Sequence, residues 1–182
     1  MCTGIAHAQT ATDITTQGTY YINKSFAISW AYPFIKLDTA YNRGWTGKGV
    51  TVAVFDTGID PRNVKFSGKL AGGYDIYTGG TVVTDPNWHG TFVSSIIGAS
   101  RQATSTLGMY GVASDAKIYA VRVMDANGVG SFTDRQLANG INAAVGAGSK
   151  VFNNSWNTNV MLSQLSAAQR QAFVASIPLQ LN

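Results

Sequence analysis

Three short runs that read as strands, at 50–55 (VTVAVF, rich in β-branched residues), 117–123 (KIYAVRV) and 150–155 (KVFNNS), alternate along the chain with stretches whose apolar residues recur at helical spacing. The first run follows Gly47-Lys48-Gly49 and is apolar almost throughout, the pattern of a strand buried on both faces. After it, a glycine-punctuated region extends to about residue 84. Val93, Ile96 and Ile97 then fall at helical spacing, which places His89 in or just before the first turn of a helix. Thr133-Asp134-Arg135-Gln136 has the form of a capping box, and Leu137, Ile141, Ala144 and Val145 continue one helical face to about Gly146. Leu165, Ala168, Ala172 and Phe173 mark a further helix over 163–176 that Pro178 would stop. Strands alternating with helices imply an α/β fold, a doubly wound and mostly parallel sheet with helices on both faces. In such sheets the functional residues gather at the carboxyl ends of the strands.

Composition bounds the function classes. With 182 residues and 45% hydrophobic content, the chain can bury one sizeable core. Charged residues are only 12% and glycines number 20, a loop-rich composition with many turns. The net charge of +4 comes from 13 Lys and Arg residues scattered singly, so no basic run suggests a nucleic-acid partner. No apolar stretch is long enough to suggest a membrane span. The single cysteine, Cys2, excludes an internal disulfide and any multi-cysteine metal site, and no cofactor is expected. Ala6-His7-Ala8 has the small-x-small form of a signal-peptidase site, so residues 1–8 read as a signal-peptide remnant or as a tail carrying that tripeptide by chance. Residues 9–30 suit a leader or an extended arm, and 31–182 the folded domain.

Two positions carry candidate chemistry. Asp56 ends the first strand and is followed by Thr57-Gly58, where the chain must turn. Alone, it could equally be a cap or a turn former. His89, in Asn87-Trp88-His89-Gly90-Thr91, presents an imidazole at a helix start. The other histidine, His7, has no such setting. Gly44, Gly47 and Gly49 are spaced like a phosphate loop but precede a strand, whereas phosphate loops follow one and open a helix.

Four segments together resemble the subtilases, the subtilisin-like serine proteases: VAVFDTGID at 52–60, HGTFVSSIIGA at 89–99, GVASDAKIYAVRVMDANGVGS at 111–131 and VFNNSWN at 151–157. The resemblance implies a secreted or cell-envelope endopeptidase, bacterial in origin, in which Asp56 orients His89 and His89 deprotonates a serine. It implies that a polypeptide substrate lies as an added strand between Gly128, Val129 and Gly130 on one side and Ser155, Trp156 and Asn157 on the other. The family's glycine before the histidine is Trp88 here, Phe92 replaces a second histidine, and Asn157 stands where a glycine is usual. Residues 100–106 hold no carboxylate or asparagine, so no calcium site is expected in a region where many relatives bind one. No Gly-Thr-Ser-x-Ala string, the family's nucleophile signature, occurs in the chain, and the oxyanion-hole asparagine is not placed either. The expectation is a C-terminally truncated or frameshifted domain, inactive alone and prone to self-association through its cut sheet edge. A non-catalytic peptide-binding remnant is the alternative, although such a role would need neither Asp56 nor His89.

Overall fold

In the computed structural model, which describes residues 31–101, 110–157, 166–169 and 171, the first apolar run forms strand β1 (Thr51–Asp56), inside a four-stranded sheet. Successive side chains of a strand point to opposite faces, and β1 divides its own between two cores. Val52 and Val54 pack with Ile59, Phe66, Ile118 and Ala120 on one face. Ala53 and Phe55 pack with Ile76, Tyr119, Val121 and Ala144 on the other. Burying one Val or Phe side chain is worth about 1.5–3 kcal/mol, so an apolar run of this kind is stable only where both faces are covered.

The remaining strands are β2 (Leu70–Asp75), β3 (Lys117–Arg122) and β4 (Val151–Asn153), all parallel, in the order β2-β3-β1-β4. Asp56 and Asp75 both pair with Arg122, so the carboxyl ends of β1, β2 and β3 stand level. Strand β2 has no sequence signature, because LAGGYD lacks β-branched residues and carries two central glycines. Both glycines have tertiary reasons. Gly72 sits at a register shift with φ 127°, and a Cβ on Gly73 would lie 2.5 Å from the Val83 side chain.

Two short helices, α1 (Ala31–Phe34) and α2 (Leu37–Asn42), precede the sheet and form a small separate cluster in which Tyr32, Leu37 and Tyr41 pack with Tyr110. Helix α3 (His89–Gly98) covers the first face through Val93 and Ile97. Helix α4 (Asp134–Gly146) covers the second through Leu137 and Ala144. Its capping box is formed as expected, with Gln136 N–H donating to Thr133 Oγ1 at 3.3 Å and Thr133 N–H to Gln136 Oε1 at 2.9 Å. The connections β2-α3-β3 and β3-α4-β4 move the same way across the sheet, yet their helices lie on opposite faces. They therefore have opposite hands, and one of them is of the rare left-handed kind.

Three apolar positions depart from the sequence pattern. Ile96 is 50% exposed on α3, although Val93 and Ile97 are turned inward. On α4, Ile141 and Val145 overhang the sheet beside β4 and, with Phe55, Phe152, Asn154 and Trp156, bound an apolar groove of ≈ 580 Å³. Among the described residues no strand pairs with the outer edge of β4. Gly44, Gly47 and Gly49 all adopt φ near 80° in the turns before β1, which accounts for that cluster without a ligand. The helix expected over 163–176 falls for the most part outside the described residues, as do the N-terminal segments 1–8 and 9–30 and most of 100–106. Among the described residues no helix is long and apolar enough to cross a membrane.

Candidate active site

Asp56 is the last residue of β1 and is fully buried. Its Oδ1 accepts from the following backbone N–H, Thr57 N at 2.7 Å, and lies 2.8 Å from His89 Nδ1. Oδ2 is buried and has no hydrogen-bond partner among the described residues. An ionised carboxylate can only accept, so Nδ1 of His89 carries the hydrogen of this bond. In the neutral ring the remaining nitrogen, Nε2, is then a bare acceptor. The imidazole is 47% exposed and lines a cleft, so this acceptor is available to a proton donor brought within about 2.6–3.2 Å.

His89 is held there by a close junction between the end of β1 and the start of α3. Gly90 N–H donates to Thr57 Oγ1 at 2.9 Å, and a Cβ on Gly90 would overlap the Gly58 carbonyl oxygen. Gly58 itself has φ 122° and sits where a Cβ would be 2.5 Å from the Val83 carbonyl oxygen. Asp85 completes the junction. Its Oδ1 accepts from Thr57 Oγ1 at 2.7 Å, Asn87 N at 3.0 Å and Trp88 N at 2.9 Å. Its Oδ2 accepts from Thr91 N at 2.8 Å and Thr91 Oγ1 at 2.6 Å. Burial alone would push the Asp85 carboxyl up, but the hydrogen bonds from Thr91, Thr57 and Asn87 together hold it below the usual carboxylate range.

Trp88 occupies the N-cap position of α3 with φ 82° and ψ −21°, and its side chain makes no capping bond. A left-handed backbone costs a residue with a Cβ about 1–2 kcal/mol, a strain that a glycine at this position would not carry. The indole is 71% exposed.

Because β1 lies between β3 and β4, the loops leaving those two strands flank Asp56 and His89 on either side. Together they enclose a cleft of ≈ 670 Å³ lined by His89, by Gly128, Val129 and Gly130 after β3, and by Ser155, Trp156 and Asn157 after β4. All six residues expected from the sequence on the two rims thus share one cavity with His89, while Asp56 stands behind the imidazole and does not line it. The β3 rim is a tight turn in which Asp125 Oδ1 accepts from Asn127 N and Val129 N at 2.8 and 2.9 Å. Gly128 needs its φ of 74° there. Asn87 Nδ2 donates to Ala126 O at 2.9 Å, tying this rim to the segment before His89. The floor is aromatic, with Phe132 and Trp156 edge to face at 6.0 Å.

In the sequence Thr57 reads only as part of the turn after Asp56, and Asp85 carries no assigned role. A signal was present in Asp85-Pro86-Asn87, since Asp before Pro starts turns through its own side chain, but nothing local reveals that Thr57, 28 residues earlier, is its partner. Among the described residues no group of three or more His, Cys, Asp or Glu side chains is placed to hold a metal ion.

The profile of the subtilase family (peptidase S8) matches residues 47–177. The chain is 36% identical over 155 residues to a thermostable alkaline protease of Halalkalibacterium halodurans, covering 85% of this chain and 41% of that protein. It is 33% identical over 150 residues to the minor extracellular protease Epr of Bacillus subtilis, covering 82% of this chain and 22% of that protein. Among solved structures, a cold-adapted subtilisin-like serine proteinase aligns with a TM-score of 0.53 and 29% identity, over 74% of this chain and 46% of the other. The chain thus spans less than half the length of each of these relatives.

Proposed function

Since the chain belongs to the subtilase family, we propose that it carries the aspartate and histidine of a peptide-hydrolysing triad, Asp56 and His89, together with both rims of the substrate cleft. The observation that supports this best is the 2.8 Å bond between Asp56 Oδ1 and His89 Nδ1, with the imidazole lining the cleft. In this role Asp56 fixes the tautomer, and Nε2 takes the proton of a serine hydroxyl as that oxygen attacks a peptide carbonyl. The same proton is then delivered to the leaving amine. The substrate backbone lies between Gly128-Val129-Gly130 and Ser155-Trp156-Asn157 as an added strand, where the glycines let main chain approach main chain. The kinship with proteases makes a polypeptide the substrate class.

The 182 residues contain no Gly-Thr-Ser-x-Ala nucleophile signature. We therefore expect this chain by itself to hydrolyse no peptide, since a triad without that serine lacks its nucleophile. A peptide p-nitroanilide assay and labelling with a fluorophosphonate, which reacts only with an activated serine, test this together. No turnover and no label are expected, and stoichiometric labelling would overturn the assignment of an incomplete triad. The relationship to an extracellular protease and the Ala6-His7-Ala8 tripeptide support a secreted or envelope location. The open β4 edge and the groove beside Phe152 and Val145 support self-association, which size-exclusion chromatography would read as a species larger than 19.3 kDa.

A further inference from the structure

We propose that Asp85 is a positioning residue for His89, clamping the end of β1 to the start of α3 and so setting the Asp56–His89 bond. The inference rests on the reading of Asp56 and His89 as an acid–base pair. What carries it is where the donors to this one carboxylate come from. Thr57 follows Asp56, Trp88 precedes His89, and Thr91 lies on the first turn of α3, so each member of the pair is adjacent in the chain to a group bound to Asp85. A helix cap alone would collect only the donors of its own helix. Here the hydroxyl of Thr57 belongs to the strand side, and it also accepts from Gly90 N–H, closing a loop from Asp85 through Thr57 to the residue after His89.

The chemistry of the site admits no neutral substitute. Each oxygen of Asp85 receives at least one backbone N–H, Asn87 and Trp88 on Oδ1 and Thr91 on Oδ2. An asparagine in either flip would turn its NH2 group toward one of those N–H donors, setting donor against donor. A donor shielded from water and left facing another donor is destabilising. That cost is relieved only if the start of α3 moves away from β1. His89 would move with it, and its 2.8 Å bond to Asp56 would lengthen and lose alignment.

Imidazole NMR on the full 182-residue chain tests this without any catalytic turnover. A His7→Gln background leaves His89 as the single imidazole. In that parent, a downfield Nδ1–H proton and the Nδ1–H tautomer in long-range proton–nitrogen spectra are expected. Asp85→Asn and Thr57→Val should each lose the downfield proton and drift toward the tautomer mixture of free imidazole, while Thr57→Ser, which keeps the hydroxyl, should retain it. Either of the first two variants folding normally by far-UV circular dichroism and keeping the Nδ1–H signal would overturn the proposal. Loss of the fold in both would overturn it too, in favour of a purely structural role. Absence of the signal in the parent would instead sink the Asp56–His89 reading itself.

Discussion

Gly90 packs against Gly58 so tightly that a single methyl group would force the two apart: a Cβ on Gly90 would overlap the Gly58 carbonyl oxygen and lie 3.0 Å from its nitrogen and 3.1 Å from the Asp56 Cβ. The neighbours are backbone and cannot turn aside. Gly90→Ala should therefore cost about 1–3 kcal/mol, the usual range for overpacking a filled interior. Urea denaturation measures it, and an unchanged midpoint would show that the junction is looser than its geometry.

Trp88 gives the opposite sign. With φ at 82° and a side chain 71% exposed, it contributes strain and little packing. Trp88→Gly should stabilise the chain by about 0.5–1 kcal/mol, the relief of the left-handed backbone less the entropy of a more flexible unfolded chain. Trp88→Ala, which keeps a Cβ, should not. A gain in both variants would locate the cost in the indole rather than in the backbone.

Stability should climb as pH rises out of the acid range. The unfolded-state pKa of an aspartate is about 3.9, and Asp85 lies lower in the folded chain because the hydrogen bonds it accepts outweigh its burial. The stability it contributes is complete above the unfolded value and is lost as pH falls through the folded one. Asp60 and Asp125 are lowered as well, by Arg62 and by the Val129 and Asn127 N–H groups respectively, but Asp125 is exposed and Asp60 pairs with an exposed guanidinium, so both weigh little. Lys69 tilts the same way at the alkaline end. Burial pushes its ammonium down, so its penalty fades as pH rises. Melting temperature against pH from 2 to 6 (about the range bracketing a carboxylate titration) should fall steeply at the acid end, and Thr91→Val, which removes one donor to Asp85, should flatten that fall.

The rim after β3 hangs on Tyr77. Its hydroxyl donates to Val123 O at 2.6 Å and accepts from Ser131 N at 3.4 Å, so one phenol spans both ends of the loop that carries Gly128, Val129 and Gly130. Tyr77→Phe should cost about 0.5–1.5 kcal/mol. It should also speed amide exchange at Ser131 while leaving the β3 amides protected. Equal acceleration in β3 would mean that the hydroxyl serves the sheet and not the rim.

How much of this was legible beforehand depended on whether the signal was local. The run at 51–55 must be an interior strand because an unbroken apolar sequence has no face to offer water. The capping box at Thr133 and Gln136 likewise announces the start of α4 from four adjacent residues. Strand β2 escaped notice because its glycines are there for Val83 and Ala120, which come from elsewhere in the chain. Ile141 and Val145 lie one helical turn apart on the apolar side that also carries Ala144, and among the described residues nothing beyond β4 covers them.

The sequence by itself determined the alternation of strands and helices, written in residue types at short spacing, and a resemblance carried by the segments around Asp56 and His89, from which the two loops proposed as rims were expected. Only the tertiary structure decided that Asp56 meets His89 across 33 residues, that Asp85 joins Thr57 to Thr91, and that the residue before His89 must take a left-handed backbone. Those are relations between groups distant in the chain. They arise where β1 and α3 are brought together by burial, and no local preference of either segment encodes them.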